Sequence, residues 1–168
     1  VHIYGQSAHS DEIRKIAKKF KLFIIEDCAE ALGGFYKKRL IGREGDASTF
    51  SFYPNKLITT GEGGMVVFKD KKTYLKAKQL RNQGRSTSKM FWHDFAGFNF
   101  RMTNMQAAIG VAQLDRINTF LKLRKKVFKI YDSLFQKQDD IILLPKNKWS
   151  QNSLWLYTIL ITSLNELK

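Results

Sequence analysis

The chain has 168 residues, 43% hydrophobic and 13% aromatic, with 29 Lys and Arg against 15 Asp and Glu. Such composition excludes disorder, collagen-like repeats and low complexity, and the length suits one domain, or one domain and part of another, with a sizeable core. No apolar run approaches the ~20 residues of a bilayer span and Val1 to Gly5 lacks signal-peptide character, so a cytoplasmic protein without membrane contact is expected. The single cysteine, Cys28, has no intrachain partner, and His2, His9 and His93 lack metal-ligand spacing, so no metal is expected. The formal charge of +14 invites a nucleic-acid or anionic-membrane reading. The basic residues are scattered over successive elements and no RNP, zinc-finger or helix-turn-helix signature accompanies them, which favours a Lys-rich solvated surface over a nucleic-acid site.

In chain order, Ile13, Ile16, Ala17 and Phe20 predict a surface helix over 11–20 with Ser10 as N-cap. The apolar run Leu22 to Ile25, ending at Glu26 and Asp27, predicts a buried parallel strand with its polar residues at the carboxyl end. Gly33, Gly34, Lys37 and Lys38 mark turns, and Ser48 to Phe52 and Met65 to Phe68 are further strands. Between those two strands lies a loop, 53–64, rich in glycine and hydroxyl groups. A helix is predicted from about Lys72 to Arg81, followed by an aromatic stretch from Phe91 to Phe100. Thr103 is placed to cap the next helix, whose small residues Ala107, Ala108, Gly110 and Ala112 predict close packing on another element. An amphipathic helix with Phe120, Leu121, Val127, Phe128, Tyr131, Leu134 and Phe135 on one side runs to about Lys137. Trp155 to Ile161 reads as a late strand without a further element to pair it. The alternation implies an α/β sheet with helices on its faces.

Asp27 sits where open α/β sheets place ligands, although position alone slightly favours a cap or loop carboxylate. Cys28 reads as a small buried hydrophobe, Ala29 would let a flat ligand approach, and Glu30 offers a second polar contact. Lys56 lies in a loop after a strand, near Ser51 upstream and Gly61-Glu62-Gly63-Gly64 downstream. A neutral lysine amine is the nucleophile that forms Schiff bases, a hydroxyl can bind phosphate, and a carboxylate can pair with a pyridinium nitrogen. Together these residues are the components of a pyridoxal phosphate site.

Ile25-Glu26-Asp27-Cys28-Ala29-Glu30-Ala31-Leu32-Gly33, the stretch from Gly45-Asp46 through Phe50 to Lys56 and on to Thr60-Gly61-Glu62-Gly63-Gly64-Met65-Val66, and Gly97-Phe98-Asn99-Phe100-Arg101-Met102-Thr103-Asn104 with Ala107-Ala108-Ile109-Gly110 resemble the DegT/DnrJ/EryC1/StrS sugar aminotransferases. The resemblance runs from Tyr4 to about Tyr131. It implies a three-layer α-β-α, aspartate aminotransferase-like fold: residues 1–116 would be the later part of the cofactor-binding large domain and 117–168 a connecting helix and the start of a small α+β domain. Pyridoxal 5'-phosphate is the implied cofactor, and transfer of an amino group from glutamate to a nucleotide-linked 4-keto-6-deoxysugar the implied activity.

By position, the resemblance makes Lys56 the lysine that holds the cofactor covalently and moves the proton, Asp27 the carboxylate on the pyridine nitrogen, and Ala29 and Glu30 neighbours of the ring. Ser51 becomes a phosphate ligand and Asn99 an asparagine that reaches the neighbouring subunit's cofactor, which implies a homodimer with shared sites. His93 and Arg101 are lesser substrate candidates, Arg101 also fitting a structural role in its loop. Relatives whose lysine is replaced by histidine are dehydratases, so Lys56 favours transamination. Family members are about twice this long, and the Gly-Thr turn that cradles the phosphate has no counterpart here. An inactive or split piece of such an enzyme, or a basic anion- or nucleic-acid-binding module, is the alternative.

Overall fold

The computed structural model describes residues 1–162. After a short 3-10 turn at Ile3–Gly5 come α1 (Ser10–Phe20), β1 (Ile25–Asp27), β2 (Phe35–Tyr36), β3 (Arg39–Leu40), β4 (Ala47–Ser51), β5 (Gly64–Phe68) and α2 (Lys71–Arg81). They are followed by α3 (Asn104–Leu114), α4 (Ile117–Phe135), β6 (Ile141–Leu143), β7 (Ser150–Gln151) and β8 (Ile159–Ile161). The predicted helices are all present. His9, not Ser10, is the N-cap of α1, because the Ser10 hydroxyl donates to the Ala8 carbonyl and Ser10 is itself helical. Thr103 does cap α3, in a reciprocal box with Gln106, which satisfies two otherwise unpaired amides.

The sheet that positions the candidate residues has the order β1-β4-β5, with β1 parallel and β5 antiparallel to β4. The strand begins three residues later than the apolar run suggests, since Leu22 and Phe23 lie outside it and Phe23 is 86% exposed. The reason is the ladder: Ile25, Glu26 and Asp27 pair with Ala47, Ser48 and Thr49, and the Cys28 amide continues it by donating to the Thr49 carbonyl. Burial is also one-sided, with Ile25 69% exposed and Glu26 6%. Alternation therefore puts Ile25, Asp27, Thr49 and Ser51 on the open face and Glu26, Ser48 and Phe50 on the covered one.

A hairpin, rather than a helix, lies in the β1-to-β4 crossover. β2 and β3 pair antiparallel around Lys37 and Lys38, both left-handed (φ 43° and 70°), the geometry of a tight hairpin turn and one in which glycine or asparagine is more usual. Asp11 of α1 binds Lys37 and Arg39. β7 then adds to the hairpin from more than 110 residues away.

The packed centre under the covered face is Cys28, Ala31 and Ile41, joined by Phe50. Gly42 borders it at φ +91°, and a Cβ there would lie 2.6 Å from Phe50 Cζ, so both its conformation and its space require glycine. The late strand is shorter than the sequence implies and does have a partner. Only Ile159–Ile161 is extended, paired antiparallel with Ile141–Leu143, whereas Leu154 adopts φ +63° and takes Trp155 out of strand geometry.

Candidate functional site

Two adjacent carboxylates at the end of β1 have opposite surroundings. Glu26 Oε1 accepts from the Glu44 and Gly45 amides at 2.7 and 2.6 Å, and Oε2 from the Gly42 amide and from His2 Nε2, each at 3.1 Å. The Ala8 amide donates to His2 Nδ1, so Nε2 carries the proton given to Glu26. Burial alone would push the Glu26 carboxyl up, but His2 and the Gly45, Gly42 and Glu44 amides outweigh it and bring its pKa down to about 2.

Cys28, fully buried beside them, has its thiol pushed up to about 12 by burial and by the nearby Glu26 and Asp27 carboxylates. His2, Glu26 and Cys28 bring three potential metal-ligand atoms within 4.8 Å of one another. Both His2 nitrogens are engaged, Glu26 has four donors, and the thiol stays protonated, so this cluster holds the fold together and offers no free ligand set.

Asp27, on the open face, is differently engaged. Its Oδ1 accepts from the Ala29 amide at 3.0 Å, and its Oδ2 takes no hydrogen bond from the described residues. Both readings of Asp27 thus have a basis: one oxygen shapes the turn after β1, while the other is available to a ligand. Ser51, two residues along β4 from Thr49 and on the same face, accepts from the Tyr53 amide at 3.3 Å and keeps its hydroxyl proton for another acceptor. Glu30 uses Oε2 to hold the Tyr4 amide at 2.6 Å, a tie between sequence-distant segments.

Lys56 follows β4 in a loop and projects its Nζ over the indole of Trp155, 3.9 Å from the ring centre. Trp155 is 8% exposed, and its Nε1–H donates to the Asn55 carbonyl at 2.9 Å. The loop beyond Lys56 is held by α3. Gln113 donates to the Thr59 carbonyl and accepts from the Thr59 amide, at 2.9 and 3.1 Å, and Gln106 donates to the Glu62 carbonyl. Gly110 lies between them, where a Cβ would come 2.9 Å from Thr60 Cγ2. The predicted close packing of α3 is therefore against this loop. No signal in the sequence marks Gln113 or Gln106, because each contact spans more than 40 residues.

The third motif is divided: Met102 lies beside Gly63 and Gly110 beside Thr60 of the Lys56-bearing loop, whereas Gly97 to Arg101 make no hydrogen bond to Asp27, Ser51 or Lys56 among the described residues and pair instead with the end of α2. His93 Nδ1 donates to the Gln83 carbonyl at 2.7 Å; His93, Asn99 and Arg101 are all exposed. Phe91, Trp92, Phe98 and Phe100 are exposed as well, so these rings do not form an internal core. A separate cavity of about 630 Å3 lies between α4 and the 144–157 segment. Its lining includes Leu121, Phe128 and Tyr157 but none of Asp27, Ser51, Lys56 or Asn99.

Residues 1–168 match the DegT/DnrJ/EryC1/StrS aminotransferase family. The chain is 42% identical over 169 residues to GDP-perosamine synthase of Escherichia coli O157:H7, covering 99% of this chain and 45% of that enzyme. Among solved structures it superposes with TM-score 0.90 on Helicobacter pylori PseC, an aminotransferase involved in the biosynthesis of pseudoaminic acid, at 32% identity over 95% of this chain and 44% of PseC. A Streptococcus pneumoniae protein described as a sugar aminotransferase and solved in its PLP form gives 0.87 at 26% identity, with 95% and 46% covered. The chain spans under half the length of these relatives. Its mixed α/β fold is that of their matching part.

Proposed function

The chain belongs to the DegT/DnrJ/EryC1/StrS aminotransferase family, and we propose that the whole protein uses pyridoxal 5'-phosphate to move an amino group from glutamate onto the keto carbon of a nucleotide-linked 4-keto-6-deoxysugar, in the manner of a GDP-perosamine synthase. The observation that carries this reading is the pair of uncommitted groups on the open face, Asp27 Oδ2 and the Ser51 proton, with Lys56 in the loop that follows. This donor set fits the cofactor: an anion for a ring N–H, a hydroxyl proton for a phosphate oxygen, and a primary amine for a carbonyl carbon. Asp27 would hold the ring nitrogen, Ala29 and Glu30 would border the ring, Ser51 would bind the phosphate, and Asn99 would reach the phosphate of a partner subunit. His93 and Arg101 are offered to the sugar nucleotide. When bound, the cofactor supplies an electron-withdrawing ring and a carbon on which amines exchange.

The chain's own residues do the rest. The Asp27 carboxylate keeps a proton on the atom it faces, and its benefit grows as negative charge develops, which places its effect in the chemical step. The Lys56 amine, once released, takes and returns a proton at Nζ. The Thr59 clamp from Gln113 limits the motion of the lysine-bearing loop, which lowers the cost of positioning it. We further propose a large-domain portion at 1–116 and a linking helix with the start of a small domain at 117–168. A cytoplasmic location accords with the absence of any helix, among the described residues, long and apolar enough to cross a membrane.

A homodimer would cover the aromatic patch around Asn99, which is costly to leave in water. Sedimentation of the full-length protein tests this, and an active, cofactor-saturated monomer would exclude the role of Asn99 in trans. The functional reading as a whole is tested by mixing the full-length protein with pyridoxal phosphate, reducing with borohydride and mapping the peptides. The adduct is expected on Lys56, and none there overturns the reading.

A further inference from the structure

We propose that Trp155 is a positioning residue for Lys56: its indole face is the docking place of the Lys56 ammonium whenever that amine is not bonded to the cofactor. The inference rests on the functional reading above for what Lys56 bonds to, but the docking place itself stands on geometry. An ammonium 3.9 Å from the centre of a ring is within the range of direct attraction by the ring quadrupole, strongest for tryptophan and stronger still where water is excluded. The ring is nearly inaccessible to solvent and Lys56 is half-buried, so the contact is a partly desolvated one.

The segment that delivers the ring is fastened on every side. The Ser153 amide donates to the Gly5 carbonyl, and the Ser153 hydroxyl to the Glu30 carbonyl at 2.8 Å. Arg124 of α4 donates to the Trp155 carbonyl, and Tyr4 stacks on the indole at 6.2 Å and 23°. Gly5, at φ +80°, leaves room for this: a Cβ there would sit 2.3 Å from Ser153 Oγ. Between these ties, Leu154 is held at φ +63°, an unfavourable conformation for a bulky residue that persists only where surrounding contacts enforce it. Trp155 directly follows this residue, and its ring meets Lys56. The indole N–H bond to Asn55, the residue before Lys56, fixes the ring and the lysine's backbone against each other.

Capture of the cofactor aldehyde by Lys56 forms a carbon–nitrogen bond at Nζ and releases one water and the ammonium proton. A contact made only by the uncaptured ammonium favours the uncaptured state by its own free energy. Removing the ring should therefore strengthen capture, whereas damage to a merely structural residue would weaken it. In the full-length protein, Trp155→Leu should lower the pyridoxal phosphate concentration for half-capture, read as the borohydride-fixed fraction on Lys56, by about tenfold. Trp155→Phe keeps a ring face and should remain within about threefold of the parent.

The second measurement needs no cofactor. The Lys56 ε-methylene NMR signal, identified by its loss in Lys56→Met, should be shifted upfield by the ring, return to its ordinary position on adding pyridoxal phosphate, and be unshifted in Trp155→Leu. Weaker capture in Trp155→Leu, or an unshifted signal in the cofactor-free parent, overturns the docking role. A shifted signal in a protein that never captures pyridoxal phosphate supports the docking place and overturns the functional reading instead.

Discussion

Glu26 and Asp27 are neighbours on one strand and face opposite sides of one sheet. Glu26 has every lone pair taken by His2 and three amides, and its side of the sheet carries the Cys28, Ala31 and Ile41 core. Asp27 spends one oxygen on the Ala29 amide and keeps the other. Saturated polar groups hold a fold, and groups with spare capacity at a strand's carboxyl end are the ones left to do chemistry. The same amide substitution at the two positions should accordingly produce two different defects.

The largest effect is expected from Asp27→Asn, which keeps size and loses charge. In the full-length protein, turnover should fall by several powers of ten, about 3 to 5 kcal/mol of lost stabilisation in the chemical step, with sugar-nucleotide affinity and melting temperature little changed. Near-normal turnover would make Asp27 a structural residue like its neighbour. Glu26→Gln should do the reverse, leaving turnover of the folded molecules intact and costing about 2 to 4 kcal/mol of stability, because an amide donor replaces an acceptor among four donors. Denaturant unfolding measures it.

The same carboxylate predicts a pH dependence. With a folded pKa of about 2 against an unfolded value of 4.5, the Glu26 contribution is fully present above about pH 4.5 and is lost as pH falls toward 2. It amounts to about 3 kcal/mol, and the Glu26→Gln protein should lack this part of the acid sensitivity. Gln113→Ala, which removes both bonds to Thr59, is expected to cost about 2 kcal/mol and to increase hydrogen exchange at the Thr59 to Gly61 amides; unchanged exchange would mean that α3 does not clamp the loop. The smallest effect belongs to Thr103→Ala, about 1 kcal/mol from loss of the α3 cap, seen as a lowering of the melting temperature by a few degrees without change in cofactor capture.

The sequence by itself determined the local elements and the identities of the chemical groups. Four helices, the Thr103 cap and strands β4 and β5 of the central sheet follow from periodicity and capping chemistry, which depend on residues within one or two turns of each other, whereas the bounds of β1 were set by its ladder with β4. Lys56, Ser51 and Asp27 stand out because few combinations of residue types match that chemistry, and the ordered motifs resemble one family. Tertiary structure decided the rest. Which of two adjacent carboxylates is sealed depends on amides at Gly42, Glu44 and Gly45 and an imidazole at His2, none of them near Glu26 in sequence. The partner of β8, the clamp on Thr59 and the placement of Trp155 over Lys56 likewise join residues 16 to about 100 positions apart. Such contacts leave no periodic trace in a single chain, because they arise when the fold brings separated segments to bonding distance, and the conformations they enforce, such as Leu154 at positive φ, run against local preference.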